Sequence, residues 1–416
     1  MIGQLPRSIP EVVASHLCTG CGACAHVAGD VLTMHDVRDV GRRPLPIASV
    51  NGSANRSLRG DPLAVCPGRR LEHGPGALEG APLNGEWGPV LALYECWSTD
   101  PDVRHRGSSG GVATALAAHA VTSRRASGAL QVQADPQDPL RSTTVRNTTY
   151  ATITAATGSR YAPASPCERL DLVEEAEGRT LFVGKPCDVA AVRNVAALRP
   201  ALAERLDITV AIFCAGTPST AATEQLVQTL GTDLSDVVSV DYRGEGWPGN
   251  FRVQSGSGEV RSMTYAEAWN GTLTKNRQWR CLICPDHTGE FADLSVGDPW
   301  YREIGPDEPG RSLVVVRTEA GRAALLSALA DGALDGGPIP LERLEQSQPS
   351  LAATRGAVWG RVLTMALMGL RVPRYRNVPA FRLWLRLPVR GKVTSIAGTW
   401  RRARRRGLHR PERSAR

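Results

Sequence analysis

Apolar runs of strand length alternate with helical stretches through the middle of the chain. Val90 to Cys96, Ala129 to Gln133, Thr180 to Gly184, Asp207 to Phe213 and Arg311 to Arg317 read as strands. Between them, Ala113 to Ala120, Cys167 to Glu177, Asp188 to Ala197, Ser219 to Leu230 and Ala320 to Asp331 have helical composition and spacing, and 237–263 has strand-like segments. Strand and helix in alternation predict an α/β fold with a mostly parallel or mixed sheet and flanking helices. No internal repeat is evident.

Both ends depart from this pattern. Residues 1–85 are rich in Gly, Pro and Cys with few periodic segments, and predict a small ferredoxin-like module folded round its metal. The stretch from Gly85 to Pro89 marks a boundary, so the expected domains are 1–85, an α/β domain over 86–345, and a helical, basic C-terminal extension over 346–416.

The charge is divided just as unevenly. From Arg371 to Arg416 there are fifteen Lys and Arg against one acid, Glu412; this segment carries +14, and the preceding 370 residues carry −6 of the overall +8. Phe381, Leu383, Trp384, Leu385 and Leu387 are interleaved with Arg382, Arg386 and Arg390. Such a tail suits a solvated, partly disordered extension, an anionic membrane surface, or an acidic partner or nucleic acid. The body offers no reading helix or aromatic platform, so no specific nucleic acid is expected. No apolar run reaches the roughly 20 residues that span a bilayer.

Five of the ten cysteines lie in two clusters, Cys18/Cys21/Cys24 and Cys281/Cys284, and a sixth, Cys66, stands before a proline. C-x2-C-x2-C completed by a remote Cys-Pro is the spacing with which ferredoxin-type segments hold a 4Fe-4S cluster. Zinc usually takes paired Cys or Cys/His ligands, and here His26 lacks a second histidine at ligand spacing. Disulfides need an oxidising compartment, whereas the start of the chain has no apolar signal core. Reduced, cytoplasmic thiols fit better.

Two further cysteines, Cys187 and Cys214, follow predicted strands, where ligands gather in open α/β sheets. They either join Cys281 and Cys284 in a second cluster or are buried structural thiols. Cys96 and Cys167 have no partner motif. The Gly-Ser turn 106–112, opening a helix, can seat a phosphate or a flavin edge or simply cap the helix.

The ordered stretches 107–116, 157–165, 182–193, 212–216, 243–249 and 281–298 resemble the coenzyme F420 hydrogenase/dehydrogenase beta-subunit family of flavin iron-sulfur proteins, and the N-terminal cluster segment resembles its two-cluster form, as in 7-hydroxymethyl chlorophyll a reductase. The resemblance implies that Cys187, Cys214, Cys281 and Cys284 hold a second 4Fe-4S cluster beside that of Cys18, Cys21, Cys24 and Cys66. It implies FAD contacts at Ser109, Gly110, Gly111, Val112, Thr114, Ser159, Arg160, Tyr161, Ser165, Gly184, Pro186 and Asp298. Asp188 stands where many relatives have Gln, and Ala215 where they have His.

The implied activity is an oxidoreductase moving electrons between a one-electron donor such as ferredoxin and FAD, with hydride transfer to or from coenzyme F420 or another organic substrate. The alternative is an electron-transfer subunit of a larger complex without its own substrate. His287 and Asp188 are the candidate proton-handling residues, with His119 and Glu245 also near the motifs. The expected location is the cytoplasm, including the inner face of the membrane.

Overall fold

A computed structural model describes residues 3–47, 60–74, 86–303, 305 and 308–412. Its centre is an eight-stranded mixed sheet with strands in the order Leu334–Pro338, Ala92–Ser98, Ser312–Val316, Leu294–Gly297, Leu206–Ile212, Thr180–Gly184, Gly128–Ala134 and Ser142–Asn147. The four strands from Leu294–Gly297 to Gly128–Ala134 run parallel. The outer strands pair antiparallel. The parallel strands are runs of Leu, Phe, Val and Ile because helices cover both faces of the sheet. On one face Val112 and Leu116 of helix Val112–Thr122 and Leu325 of helix Glu319–Ala330 pack on Val210 and Val314. On the other, Val189, Val192 and Val195 of helix Pro186–Leu198 pack on Leu130 and Phe182.

Strand–helix alternation is borne out, with one local departure. The expected helix over 167–177 is a 3-10 turn, Pro166–Arg169, followed by a single helical turn, Asp171–Glu174. The Cys167 N–H is drawn to the carbonyl of Cys21 at 2.9 Å, so the backbone there serves the cysteine loop.

The N-terminal segment is knit into the rest. Cys21, Ala23, Val27 and Val65 join the core built on Phe182 and Val189. Strand Arg70–Glu72 pairs in parallel with Arg374–Arg376, and Val12, Leu17 and Leu71 pack with Val358, Met365 and Leu408.

To residue 412 the tail is largely helical. Helices Ala380–Arg386 and Val389–Arg405 pack on helix Pro349–Leu367. Small residues make room: a Cβ on Gly356 would stand 2.9 Å from Leu387, and one on Gly360 would stand 2.3 Å from the Ser395 hydroxyl. Trp359 meets the rings of Phe381 and Trp384 at 4.8 and 4.7 Å. Among the described residues no helix is long and apolar enough to cross a membrane.

Candidate functional site: two cysteine quartets and a cleft

Cys18 and Cys21 lie on the loop that runs into helix Ala23–Ala28, and Cys24 lies in the helix's first turn. Gly20 and Gly22 take left-handed backbone angles there, and a Cβ on Gly22 would sit 2.6 Å from the Glu168 nitrogen. Gly68, whose Cβ would come within 2.5 Å of the Leu17 carbonyl, lets the Cys66 turn close on the same loop. The four free thiols share one electrostatic neighbourhood, Cys24 sensing Cys18, Cys21 and Cys66. Burial pushes Cys18 up to about 11 and Cys66 up to about 12, whereas a hydrogen bond with Cys167 holds Cys21 down. A thiolate in so dry a pocket needs a compensating cation, which is the chemistry of a metal site.

The second quartet forms where three elements meet. Cys187 is in the first turn of helix Pro186–Leu198, Cys214 follows strand Leu206–Ile212, and Cys281 and Cys284 lie on and just after the short helix Trp279–Leu282. Cys214 senses Cys281 and Cys284, and Cys187 senses Cys214 and Cys284. Burial pushes Cys214 up to about 12 and Cys284 up to about 11. Beside these thiols lies Arg280, 2% exposed; among the described residues its Nε and Nη1 have no hydrogen-bond partner, while Nη2 donates to the Pro67 carbonyl at 3.0 Å. Buried donors left open beside four thiols suit an anionic cluster with sulfide acceptors. Among the described residues no three His, Cys, Asp or Glu side chains gather at the spacing of one metal ion. In a cubane each thiolate binds its own iron, so the sulfurs stand wider apart.

Two buried charges lie between the quartets. Arg43 faces Cys18 of the first and Cys281 of the second, and is held by Glu412 at 2.5 and 3.1 Å. Asp188 faces Cys21 and Cys187 and accepts the Lys185 ammonium at 2.6 Å. Burial opposes the Lys185 charge, but Asp188, Cys187 and Cys214 outweigh it and raise its pKa. Burial raises Asp188 against the pull of the same lysine.

An open cleft of about 240 Å³ runs along the carboxyl ends of the parallel strands. Its floor is Val183–Lys185, Ile212–Cys214 and Val296–Asp298, and its walls are the turn 107–114 and the loop 156–164. Gly158, at φ +113°, has nothing within 4 Å of where a Cβ would point, so the wall is hollow at that point. Gly111, in the left-handed region, opens helix Val112–Thr122 toward the cleft. An open helix N-terminus and a hollow glycine wall fit a flavin whose phosphates seek backbone N–H groups.

Of the residues expected to touch FAD, Ser109, Gly111, Val112, Thr114, Ser159, Arg160, Tyr161, Gly184 and Asp298 line the cleft. Gly110 is turned to the sheet, its N–H donating to the Ser312 hydroxyl at 2.9 Å. Ser165 donates to the Gly20 carbonyl at 2.7 Å, supporting the first cysteine loop. Pro186 stands between Lys185 and Cys187 at the helix start. Arg160 is tied to the carbonyls of Pro139, Arg141 and Val240. Asp298 is clamped by Arg243 at 2.8 and 2.9 Å and by the Trp247 indole at 2.8 Å.

Asp188 reaches the cleft wall, whereas His287 lies behind it, its Nδ1 2.8 Å from the Cys214 carbonyl and its Nε2 buried without a partner among the described residues. Burial lowers His287 to about 4, so the ring is neutral. His119 pairs with Asp331, and Glu245 with His105, both away from the cleft lining. Lys185, Arg43 and Arg280 are not among the residues expected at the site, whereas Gly158 opens the loop to Ser165 expected to touch FAD. Lys185 had one signal, being one of only three lysines in the chain.

The family model for the coenzyme F420 hydrogenase/dehydrogenase beta subunit N-terminal region matches residues 93–170, and that for its C terminus matches residues 178–341. Together they span more than half of the chain. The protein belongs to the coenzyme F420 hydrogenase/dehydrogenase beta-subunit family. Coenzyme F420 hydrogenase subunit beta of Methanococcus voltae is 28% identical over 243 residues, covering 57% of this chain and 81% of that protein. Its counterpart in Methanosarcina barkeri (strain Fusaro) is 25% identical over 275 residues, covering 64% and 87%. A chain of the xenon-derivatised F420-reducing [NiFe] hydrogenase complex from Methanosarcina barkeri aligns with TM-score 0.53 and 25% identity, over 69% of this chain and 98% of that one. This oxidoreductase-type beta-subunit family is matched over the cleft and over Cys187, Cys214, Cys281 and Cys284. Cys18, Cys21, Cys24, Cys66 and the basic helices lie outside the matched residues.

Proposed function

We propose that this family member is an iron-sulfur flavoprotein oxidoreductase that moves electrons between a one-electron donor such as ferredoxin and FAD, with hydride exchange with coenzyme F420 or another organic substrate. The observation that carries the reading is the position of Cys214: it belongs to the second quartet and lines the cleft. Cys18, Cys21, Cys24 and Cys66 would hold one 4Fe-4S cluster, Cys187, Cys214, Cys281 and Cys284 another, and the cleft FAD. Clusters supply one-electron steps and a flavin two-electron chemistry, including hydride transfer.

The chain's own residues set the conditions. Arg43, Arg280 and Lys185 place cations beside the thiols, and the turn 107–114 offers backbone donors at the cleft wall. Asp188, held by Lys185, is a group for proton exchange at the cleft edge, whereas neutral, buried His287 fixes the Cys214 loop. Ten free cysteines accord with a cytoplasmic setting.

A second reading, an electron-transfer subunit without its own organic substrate, is favoured by the likeness to a chain of a hydrogenase complex over 98% of that chain. Anaerobic purification with iron, sulfide and flavin analysis tests both: about eight irons and one FAD per chain are expected. Reduction of F420 by the isolated protein supports the first reading. Full cofactor content, with turnover only in a co-purifying complex, supports the second. Zinc without flavin overturns both.

A further inference from the structure

The tail helices fold onto the body yet leave an apolar surface outward. On helix Val389–Arg405 the residues Val389, Val393, Ile396 and Trp400 recur at spacings of four, three and four, which places them on one narrow stripe. They are 75, 57, 38 and 42% exposed. Ser395, Gly398 and Thr399, which are buried, lie away from the stripe. The preceding helix adds Phe381 and Leu385, one turn apart and each about half exposed.

Basic residues flank the stripe. By helical geometry Arg390, Arg401 and Arg404 border it on one side and Lys392 on the other. The Arg404 guanidinium lies 3.9 Å above the Trp400 ring, carrying its charge to the edge of the apolar surface. Gly398 opens a notch lined by Arg401, Arg402 and Arg405. Burial, then the neighbouring Arg405 and Arg401, lower the Arg402 pKa.

We infer that the stripe Val389/Val393/Ile396/Trp400 with its border of arginines docks this protein, lying flat, on a membrane surface rich in anionic phospholipid. A helix with an apolar strip, an aromatic residue at its edge and cationic flanks is the composition that inserts at the boundary of headgroups and acyl chains. Each flanking cation adds attraction to such a leaflet. A soluble acidic protein would satisfy the arginines but leave the four apolar side chains without a reason to stand outward. The surface lies outside the residues matched to the family, so the inference stands apart from the redox reading.

The test is vesicle co-sedimentation of the full chain, with and without cofactors. Binding is expected to phosphatidylcholine vesicles containing about 30% phosphatidylglycerol, with little binding to phosphatidylcholine alone and loss at high salt. The paired substitution Val393→Glu and Ile396→Glu, both outward, is expected to weaken binding about tenfold or more and leave the thermal midpoint unchanged. Binding unaltered by that pair would overturn the inference. So would binding to soluble polyglutamate but not to vesicles, which would assign the surface to an acidic protein. Cofactor content moves neither arm, so failure here is distinguishable from failure of the redox reading.

Discussion

Arg43 donates two hydrogen bonds to Glu412, at 2.5 and 3.1 Å, across 369 residues of chain. Both side chains are almost wholly buried, at 2 and 5% exposure. An ion pair in such a place adds little net stability over an apolar pair, but removing one partner strands the other charge. Glu412→Ala is therefore expected to cost roughly 3–5 kcal/mol, read as a lowered denaturant midpoint at constant m-value. A shift below about 1 kcal/mol would mean that solvent reaches Arg43.

On the proposed function, the cysteines sort into cluster ligands and bystanders. Cys18→Ser and Cys187→Ser are each expected to remove about half of the iron, one cluster's worth, while Cys96→Ala leaves iron unchanged. Cys167→Ala also retains iron but removes the hydrogen bond to Cys21. Since donors to cluster sulfur favour the reduced form, the potential of the N-terminal cluster is expected to fall. Loss of iron in the Cys167 variant would make Cys167 a ligand instead.

Lys185 and Asp188 offer a signed test of the charges between the quartets. Lys185→Met removes a cation next to Cys187 and Cys214, so the cluster proposed for the second quartet is expected to become harder to reduce, its potential moving negative. Asp188→Asn removes an anion that faces Cys21 as well as Cys187, so both potentials move positive. Redox titration followed by electron paramagnetic resonance separates the two patterns, and shifts of the opposite sign would contradict the geometry.

Gly158 is the hollow of the cleft wall. Gly158→Val puts three carbons where the flavin is expected, and overfilling of this kind typically costs 1–3 kcal/mol. Flavin affinity should fall about tenfold with iron content unaffected, measured by fluorescence of released flavin. Equal loss of iron and flavin would point to misfolding at the strained φ instead.

His73 contributes to acid sensitivity. It stacks on Phe291 at 4.4 Å with its Nε2 2.8 Å from a carboxylate oxygen of buried Glu290, to which the neutral ring can donate, and burial, reinforced by Arg355 and Arg317, outweighs Asp286 and holds it down to about 4, against 6.5 when unfolded. The unfolded chain then binds more protons below pH 6.5. The stability His73 contributes is full above that pH and is lost as pH falls toward 4, amounting to about 3 kcal/mol at most. His73→Phe should flatten the pH dependence of the melting midpoint between pH 6.5 and 4. An unchanged slope would place the acid-sensitive group elsewhere.

What could be read from the chain was local. The C-x2-C spacings, the strand of Thr180–Gly184 and the glycine turn before Val112 each express themselves within a dozen residues. Arg43 with Glu412, and strand Arg70–Glu72 with Arg374–Arg376, join positions hundreds of residues apart and leave no periodicity. The helix expected over 167–177 failed for the same reason, its backbone being recruited by Cys21. In the tail the signal was present in part: the four-three-four spacing of Val389, Val393, Ile396 and Trp400 was legible. That Gly356 and Gly360 form the seat beneath it required the fold.

The long-range closure of the first cysteine pocket also sets an order of events during synthesis. The loop bearing Cys18 and Arg43 leaves the ribosome early, while the carboxylate that neutralises Arg43 follows 369 residues later, and the strand that pairs with Arg70–Glu72 is nearly as late. A nascent chain thus displays its first three clustered thiols on an unfinished scaffold through almost the whole of translation. Until Glu412 and strand Arg374–Arg376 are made, that loop lacks both its counter-charge and its pairing strand.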